Sequence, residues 1–262
     1  LDQFVSDRLS GQAGRIAVGG TALFISYFLP PILSSFYAAF PGITVELEET
    51  DTAQLQRRLL AGRLDLVADN GEMDPAVIGA ESLCQDHMIL AVPRQLACNQ
   101  TAEAYQIPLE EIRTGEYLRK GRPAVPMTLF QSAPFLLLKP GNDTRKRADR
   151  ILRASGVRPE IRLELDQQIT GYHLSCFGMG ASFVSDTLLR LVKPEPSLVY
   201  YRPAEAGEAR QIRLFYTRSR YRTRAIAEFL RTARACMAGV DAGAAKRPQP
   251  GREAESGAGP RT

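Results

Sequence analysis

The sequence predicts an α/β fold, mainly parallel sheet flanked by helices, and three observations carry that expectation. Strand-length apolar runs alternate with helix-length amphipathic runs between Arg15 and Val92, in the order β-α-β-α-β. Each crossover helix returns the chain to the same end of its sheet, which favours parallel pairing. The alternation resumes at Phe135, and the folded part closes on a helix with the apolar stripe Ile226, Phe229, Leu230, Ala233 and Met237.

Each element is read from its local pattern. Leu1, Phe4, Val5 and Leu9 have helical spacing, ended by Gly11 and Gly14. A short strand at Arg15–Val18 leads through Gly19-Gly20-Thr21 into a long helix with the stripe Ile25, Leu29, Ile32, Phe36 and Phe40. Pro30-Pro31 kinks or splits that helix, since neither residue can donate to the helical ladder. Pro41-Gly42 stops it. Ile43–Glu48 alternates apolar and polar residues, as a half-buried strand does. Asp51 and Gln54 have capping-box-like spacing before a helix carrying Leu55 and Leu59, which Gly62 ends. Strands follow at Leu64–Ala68 and near Asp86–Val92, with a turn at Asn70-Gly71 between them.

The stretch from Pro93 to Gln131 is proline-bearing and less regular, with a short helix near Leu109–Thr114. Beyond it, strands at Phe135–Leu138, Ile161–Leu165 and Ala181–Val184 alternate with helices at Thr144–Ala154 and Gln168–Phe177. Gly156 and Gly178 fit helix C-caps. Leu198–Tyr201 and Ile212–Tyr216 are later strands. From Ala238 onward the chain is small and polar without apolar period, and residues 239–262 are read as a disordered tail.

Composition narrows the function classes. Of the 262 residues 44% are hydrophobic, enough for a sizeable core, and the formal charge of +4 is too small to imply a nucleic-acid surface. No apolar run approaches the ~20 residues of a membrane span, and the N-terminus has no apolar signal region, so a cytoplasmic protein without membrane contact is expected. Cys84, Cys98, Cys176 and Cys236 form no CxxC pair and read as buried, reduced thiols. Cys84 and His87 have a ligand-like spacing, but a zinc site needs more ligands, so no metal and no cofactor is expected. No GxSxG, Walker A or HExxH occurs, and spacing gives no catalytic signal.

A binding site has better support. In open α/β sheets, ligands sit beyond the carboxyl ends of the strands, where helix N-termini attract carboxylates and phosphates. Four such junctions carry small polar residues: Gly20-Thr21, Thr50-Asp51-Thr52, Asp69-Asn70, and Lys139-Pro140-Gly141-Asn142-Asp143-Thr144. Taken singly, Thr50, Asp51, Thr52, Asn142 and Asp143 are preferred cap or turn residues, and capping accounts for each. Lys139 taken alone is a solvated strand-end charge. Their joint arrangement is what points to a ligand between two facing lobes.

The segments GRIAVGG, YFLPPILSSFYAAFPGITVELEE and LQRRLLAGRLDLVAD, with the later ASGVRP and GMGASFVSD, resemble the effector-binding domain of LysR-type transcriptional regulators. The resemblance covers about residues 14–236. It implies a two-lobed type II periplasmic-binding-protein-like fold with two crossover strands, near Met88–Val92 and Tyr200–Ala204. Lobe I would hold residues 14–90 and 203–238, and lobe II residues 91–202, after a linker-helix remnant at 1–10. The resemblance places a small-molecule effector, a carboxylate or an amino acid, against Gly20, Thr21, Thr50, Thr52, Asn70, Lys139, Pro140, Gly141 and Asn142. DNA would be read only through an N-terminal domain absent from this chain.

Two other functions share the architecture: a solute-binding protein of a transport system, and an enzyme of dehydratase or deaminase type. Both rank below the sensor. The first long helix is apolar over much of its circumference, with Phe24, Tyr27, Phe28 and Pro31 extending its core stripe. Such a helix is buried on more than one side, either beneath another helix of the same chain or against a partner. The resemblance implies the second, so a homodimer or higher homo-oligomer is expected through those four residues.

Overall fold

The computed structural model describes residues 14–207 and 209–241. The linker helix expected over residues 1–10 lies outside them, as do residues 242–262 of the expected tail. The chain forms two five-stranded sheets, ordered β2-β1-β3-β10-β4 and β7-β6-β8-β5-β9. The strands of the first are β1 (Gly14–Gly20), β2 (Ile43–Glu49), β3 (Leu66–Asp69), β4 (Ile78–Asp86) and β10 (Arg210–Thr217). Those of the second are β5 (Met88–Pro93), β6 (Pro134–Leu138), β7 (Glu160–Leu165), β8 (Ala181–Ser185) and β9 (Leu198–Tyr201). In each sheet a parallel trio, β2-β1-β3 or β7-β6-β8, is extended by two antiparallel strands.

β1 is central because both its faces are covered: Ile16 to Gly20 are all buried. Gly19 is required there, since a Cβ would lie 2.5 Å from Leu64 Cδ1 and 2.6 Å from Leu55 Cδ2. Leu55 belongs to the helix Thr52–Leu60, whose N-cap Asp51 accepts from the Gln54 amide at 2.8 Å.

The first helix is split as its prolines require. Pro30 and Pro31 cannot bond the carbonyls of Ser26 and Tyr27. Residues Phe24–Phe28 form a widened π-turn closed by Leu29 N–H on the Phe24 carbonyl, and a regular helix, α1, then runs from Leu29 to Ala39. The wider turn rotates Phe24 and Phe28 inward. Both are buried, at 2% and 0% exposure, and pack with Ile16, Ile32 and Phe229 in the first lobe's core. The expected interface through Phe24 and Phe28 is therefore corrected, because these rings are not at the surface. The other side of the turn is covered from within the same chain. Leu23 and Tyr27 pack with Tyr172, Leu188, Leu189 and Val192 of the second lobe, and Tyr27 Oη meets His173 Nε2 at 3.3 Å. Pro31 stays exposed.

The first crossing also differs from expectation. Asp86 ends β4 in one sheet and Met88 begins β5 in the other, so His87 alone joins them. Met88, Ile89 and Leu90, expected in the first lobe, pair with Ser185, Val184 and Phe183 of the second sheet. β4 escaped the sequence reading because a β-bulge breaks its alternation. The register against β10 shifts between Ile212 and Arg213, and Leu83 and Cys84 are both buried. The return lies between the end of β9 at Tyr201 and the start of β10 at Arg210.

The Pro93–Gln131 stretch is a packed layer. It carries short helices at Cys98–Thr101 and Leu109–Thr114, and Ile112, Tyr117, Val125, Met127 and Phe130 are fully buried. Ile107 bridges Tyr200, and Val125 bridges Pro203. A helix at Asp186–Leu191, capped by Ser185, lay unread in the sequence. The closing helix continues to Asp241 rather than stopping at 238, so its last turn enters the segment expected to be disordered. No disulfide joins the four cysteines. No described helix is long and apolar enough to cross a membrane.

The burial pattern separates two substitutions in one turn. Phe28→Ala should lower the free energy of unfolding by about 3–5 kcal/mol. Pro31→Glu should leave it within about 0.5 kcal/mol, as for a surface change. Equal effects in urea denaturation would contradict the inward rotation of Phe28.

Candidate functional site

The parallel trio β1, β2 and β3 brings three of the predicted junctions to one sheet edge. Thr50 N–H donates to the Gly20 carbonyl at 3.3 Å. Gly20 leaves little room for a side chain, since a Cβ would sit 3.0 Å from Phe24 Cβ. The Thr21 carbonyl accepts from the Phe24 and Ile25 amides at 2.9 and 3.0 Å, which starts the helix. The hydroxyls of Thr21 and Thr50, both half-buried, bond to no other described residue.

Of the other predicted residues, Thr52, Asn70, Lys139 and Asn142 have partners within the chain. Thr52 Oγ1 donates to Asp69 Oδ2 at 2.8 Å, and Asp69 Oδ1 accepts from Gly71 N–H at 2.7 Å. Burial pushes the Asp69 carboxyl up from its ordinary value, against the pull of those hydrogen bonds. In the second lobe, Asn142 Oδ1 accepts from the Thr144 amide at 2.9 Å and so caps the helix Asp143–Ala154, α2 here. Gly141, at φ +97°, makes the turn before it, and Pro140 beside it is exposed. Lys139 Nζ pairs with exposed Asp166 at 2.9 Å.

The two halves meet at a residue that sequence reasoning missed. Arg210, the first residue of β10, has a side chain only 2% exposed. It pairs with fully buried Asp86 at the end of β4. Its Nη1 also donates to Asp143 Oδ2 and Thr144 Oγ1, both at 3.1 Å. With the Asn70 amide oriented to suit its neighbours, Asn70 Oδ1 accepts from Arg210 Nε and Nη2 at 3.0 Å. Asp86 is also held from the second lobe by the Ser185 hydroxyl. One guanidinium thus ties the edge of the first sheet to the N-terminus of α2 in the second lobe. Burial works against the Arg210 charge, but Asp86 and Asp143 outweigh it and raise its pKa.

On the other side of the crossing, Asp186 collects a second set of donors. His87 N–H and Tyr117 Oη each donate to it at 2.8 Å, Arg190 Nη2 does so at 2.8 Å, and His87 Nδ1 lies at 3.3 Å. Burial opposes ionisation, yet His87 and Arg190 hold the Asp186 carboxyl below the usual range. Burial, with Asp186 beside it, pushes the Tyr117 phenol up.

Gln168, first residue of the helix Gln168–Cys176, was also missed as a site residue. Its side-chain oxygen and nitrogen are buried without a partner, and it borders a void of about 10 Å³ together with Thr144 and Ser182. No sequence signal marked Arg210 or Gln168, since nothing local distinguishes a buried arginine or glutamine from a solvated one. Among the described residues, no group of three His, Cys, Asp or Glu side chains is placed to hold a metal.

Two lobes joined by two crossings, with a polar floor between them, define a two-lobed binding-protein fold. The chain belongs to the LysR substrate binding domain family, whose model matches residues 9–238. It is 23% identical over 218 residues to the uncharacterized HTH-type transcriptional regulator YcgK of Bacillus subtilis, covering 83% of this chain and 65% of that protein. It is 25% identical over 236 residues to a probable RuBisCO transcriptional regulator of Synechocystis, covering 87% of this chain and 61% of the relative. The chain therefore spans under two thirds of these relatives' lengths. Among solved structures, the cofactor-binding domain of the Cbl transcriptional regulator superposes with a TM-score of 0.68 at 17% identity, covering 85% of this chain and 89% of that one. The regulatory domain of Synechocystis CcmR, determined in complex with 2-PG, gives 0.68 at 18% identity, covering 86% and 97%. These structures share the fold. The relatives are transcriptional regulators rather than enzymes.

Arg210→Met should cost about 3–5 kcal/mol, because Asp86 is left buried without its counter-charge. Adding Asp86→Asn should recover much of that loss. Strictly additive losses in a double-mutant cycle would show that the two side chains do not act on each other.

Proposed function

We propose that this chain is the effector-sensing domain of a LysR-type transcriptional regulator, with a small molecule bound between the lobes. The observation that carries the reading is Thr21: a half-buried hydroxyl with no described partner, at a helix start, on the edge that Arg210 ties to the second lobe. Helix-start amides and threonine hydroxyls suit an acidic or amphoteric ligand such as a carboxylate or amino acid. A domain of the same fold carrying 2-PG supports a small ligand. Thr50 is the further contact with an unused hydroxyl. Thr52, Asn70, Lys139 and Asn142 act behind them, since each is engaged within the chain. Gly20, Pro140 and Gly141 shape the two loops that carry these contacts.

The reading places the protein in the cytoplasm, without catalysis. It assigns DNA contact to a domain outside these residues, and assembly to a homo-oligomer. Pro31 and the outer edge of Tyr27 are what the described surface leaves of the expected interface.

Mass spectrometry of whatever copurifies, followed by a thermal-shift screen of metabolites, should identify the ligand. Thr21→Val should then weaken its binding by about 1–3 kcal/mol with the melting temperature unchanged. Unaltered affinity in a stable variant would remove Thr21 from the site.

The chain by itself should bind duplex DNA only weakly and with strong salt dependence. Tight, sequence-selective binding at physiological salt would overturn the assignment of DNA reading to another domain.

A further inference from the structure

A small net charge hides one uneven face. Between β10 and the closing helix the chain reads Arg218-Ser219-Arg220-Tyr221-Arg222-Thr223-Arg224, and the arginines and Tyr221 are all exposed. This segment lies against the end of the helix Thr52–Leu60. Thr217 Oγ1 donates to the Leu59 carbonyl at 3.1 Å, and Arg220 Nη1 donates to the Gly62 carbonyl at 3.0 Å. Exposed Arg63, next to Gly62, adds its charge there.

The arginines are held chiefly by neutral groups. Arg218 Nε donates to the Pro75 carbonyl at 3.0 Å, and the Arg222 guanidinium lies 3.7 Å over the Tyr216 ring. The nearby carboxylates are loose partners. Asp65 stands 3.5 Å from Arg220, and Glu81 is shared by Arg222 at 3.8 Å and Arg234 at 3.6 Å. A charge-assisted hydrogen bond closes to about 2.7–2.9 Å. Asp74, next to Pro75, is turned to the Ala76 amide at 2.9 Å. Arg220 and Arg222 keep 47% and 43% of their side-chain surface in water. A carbonyl or a ring fixes a guanidinium without cancelling its charge, and the remaining N–H groups stay available. Fixed, outward arginines suit the anionic oxygens of a phosphodiester backbone.

The position of the face selects the polyanion. A Cβ on Gly14 would lie 3.7 Å from Ala225 Cβ, so the chain preceding β1 joins the first lobe beside Arg224. Under the proposed function, DNA is read by a domain on that N-terminal side. A duplex gripped there meets this face at high effective concentration, and phosphate contacts too weak to hold DNA alone then add to its binding.

We propose that Arg218, Arg220, Arg222 and Arg224, with Arg63, form an accessory contact for the phosphate backbone of duplex DNA, without base reading. It rests on the chain being part of a DNA-binding regulator, but its readout is salt dependence, separate from the ligand screen that tests the sensor.

The test is fluorescence anisotropy of the whole chain with two duplexes of unrelated sequence, each about 20 base pairs, between about 20 and 200 mM salt. Both duplexes should bind alike, since backbone contacts carry no sequence information. Replacing Arg218, Arg220 and Arg222 together by Gln should weaken both at least about tenfold at the lowest salt, and make the slope of log affinity against log salt shallower by about 2–3. Arg63→Glu leaves the contacts of the segment in place. It should weaken binding at least about threefold, and it serves if the triple variant fails to fold. Replacing Lys146, Arg150 and Arg153 of α2 by Gln removes the same charge elsewhere and should leave the slope unchanged. Absence of duplex binding at the lowest salt would overturn the proposal, as would an equal loss in the α2 variant or a strong preference for one duplex. Displacement of the duplex by poly-glutamate at matched charge would overturn it too, by assigning the face to an acidic protein.

Discussion

The Arg210 guanidinium is the constraint on which the arrangement of the lobes rests. It sits almost wholly buried, with Asp86 behind it, Asn70 beside it, and Asp143 and Thr144 across the gap. Taking such a charge out of water costs several kcal/mol, and a single partner seldom recovers it. Here the cost is divided among two carboxylates, an amide and a hydroxyl, drawn from both lobes. Separating the lobes would strip Arg210 of Asp143 and Thr144 and keep Asp86. The first-lobe pair therefore persists in any opening, and the second-lobe contacts are the ones that change.

The crossing inherits its two-sided character from strand geometry. Alternation sends Asp86 to one face and His87 to the other, and the paired strand does the same with Ser185 and Asp186. Two polar clusters thus lie back to back across one backbone. Both use a fully buried aspartate: Asp86 is matched by one arginine from the return strand, and Asp186 by Arg190, Tyr117 and His87. Asp186 works within the second lobe and fixes where the first crossing lands, whereas Asp86 works between lobes.

What was legible in the sequence was what depends on local pattern. The parallel trios, the Asp51 cap, the proline break and the closing helix each follow from periodicity or from the chemistry of a single residue. What was hidden depends on register and on distant partners. β4 was masked because a bulge put Leu83 and Cys84 on the buried side together. The inward turn of Phe24 and Phe28 follows from a π-turn, and a regular 3.6-residue helix projected those rings elsewhere. At the candidate site the junctions were found, but not which of their groups remain available. Capping and pairing within the chain claim Asn142, Thr52 and Lys139, and those partners become visible only in three dimensions.

That division has a consequence for selectivity. A ligand that competes for Thr52 or Asn142 must break a hydrogen bond of the folded chain for each one it makes, and the exchange is nearly neutral. A ligand that meets Thr21 or Thr50 takes a hydroxyl that no described residue claims. Gln168 differs from both, because its two amide atoms are buried and unpaired against a void of about 10 Å³ that admits no more than a water. It offers a donor and an acceptor side by side, which a single water can meet. Gln168 lies next to Thr144, and Thr144 is bonded to Arg210. The void between Gln168 and Thr144 thus lies beside the same hydroxyl that anchors the lobes, with room for no more than a single water.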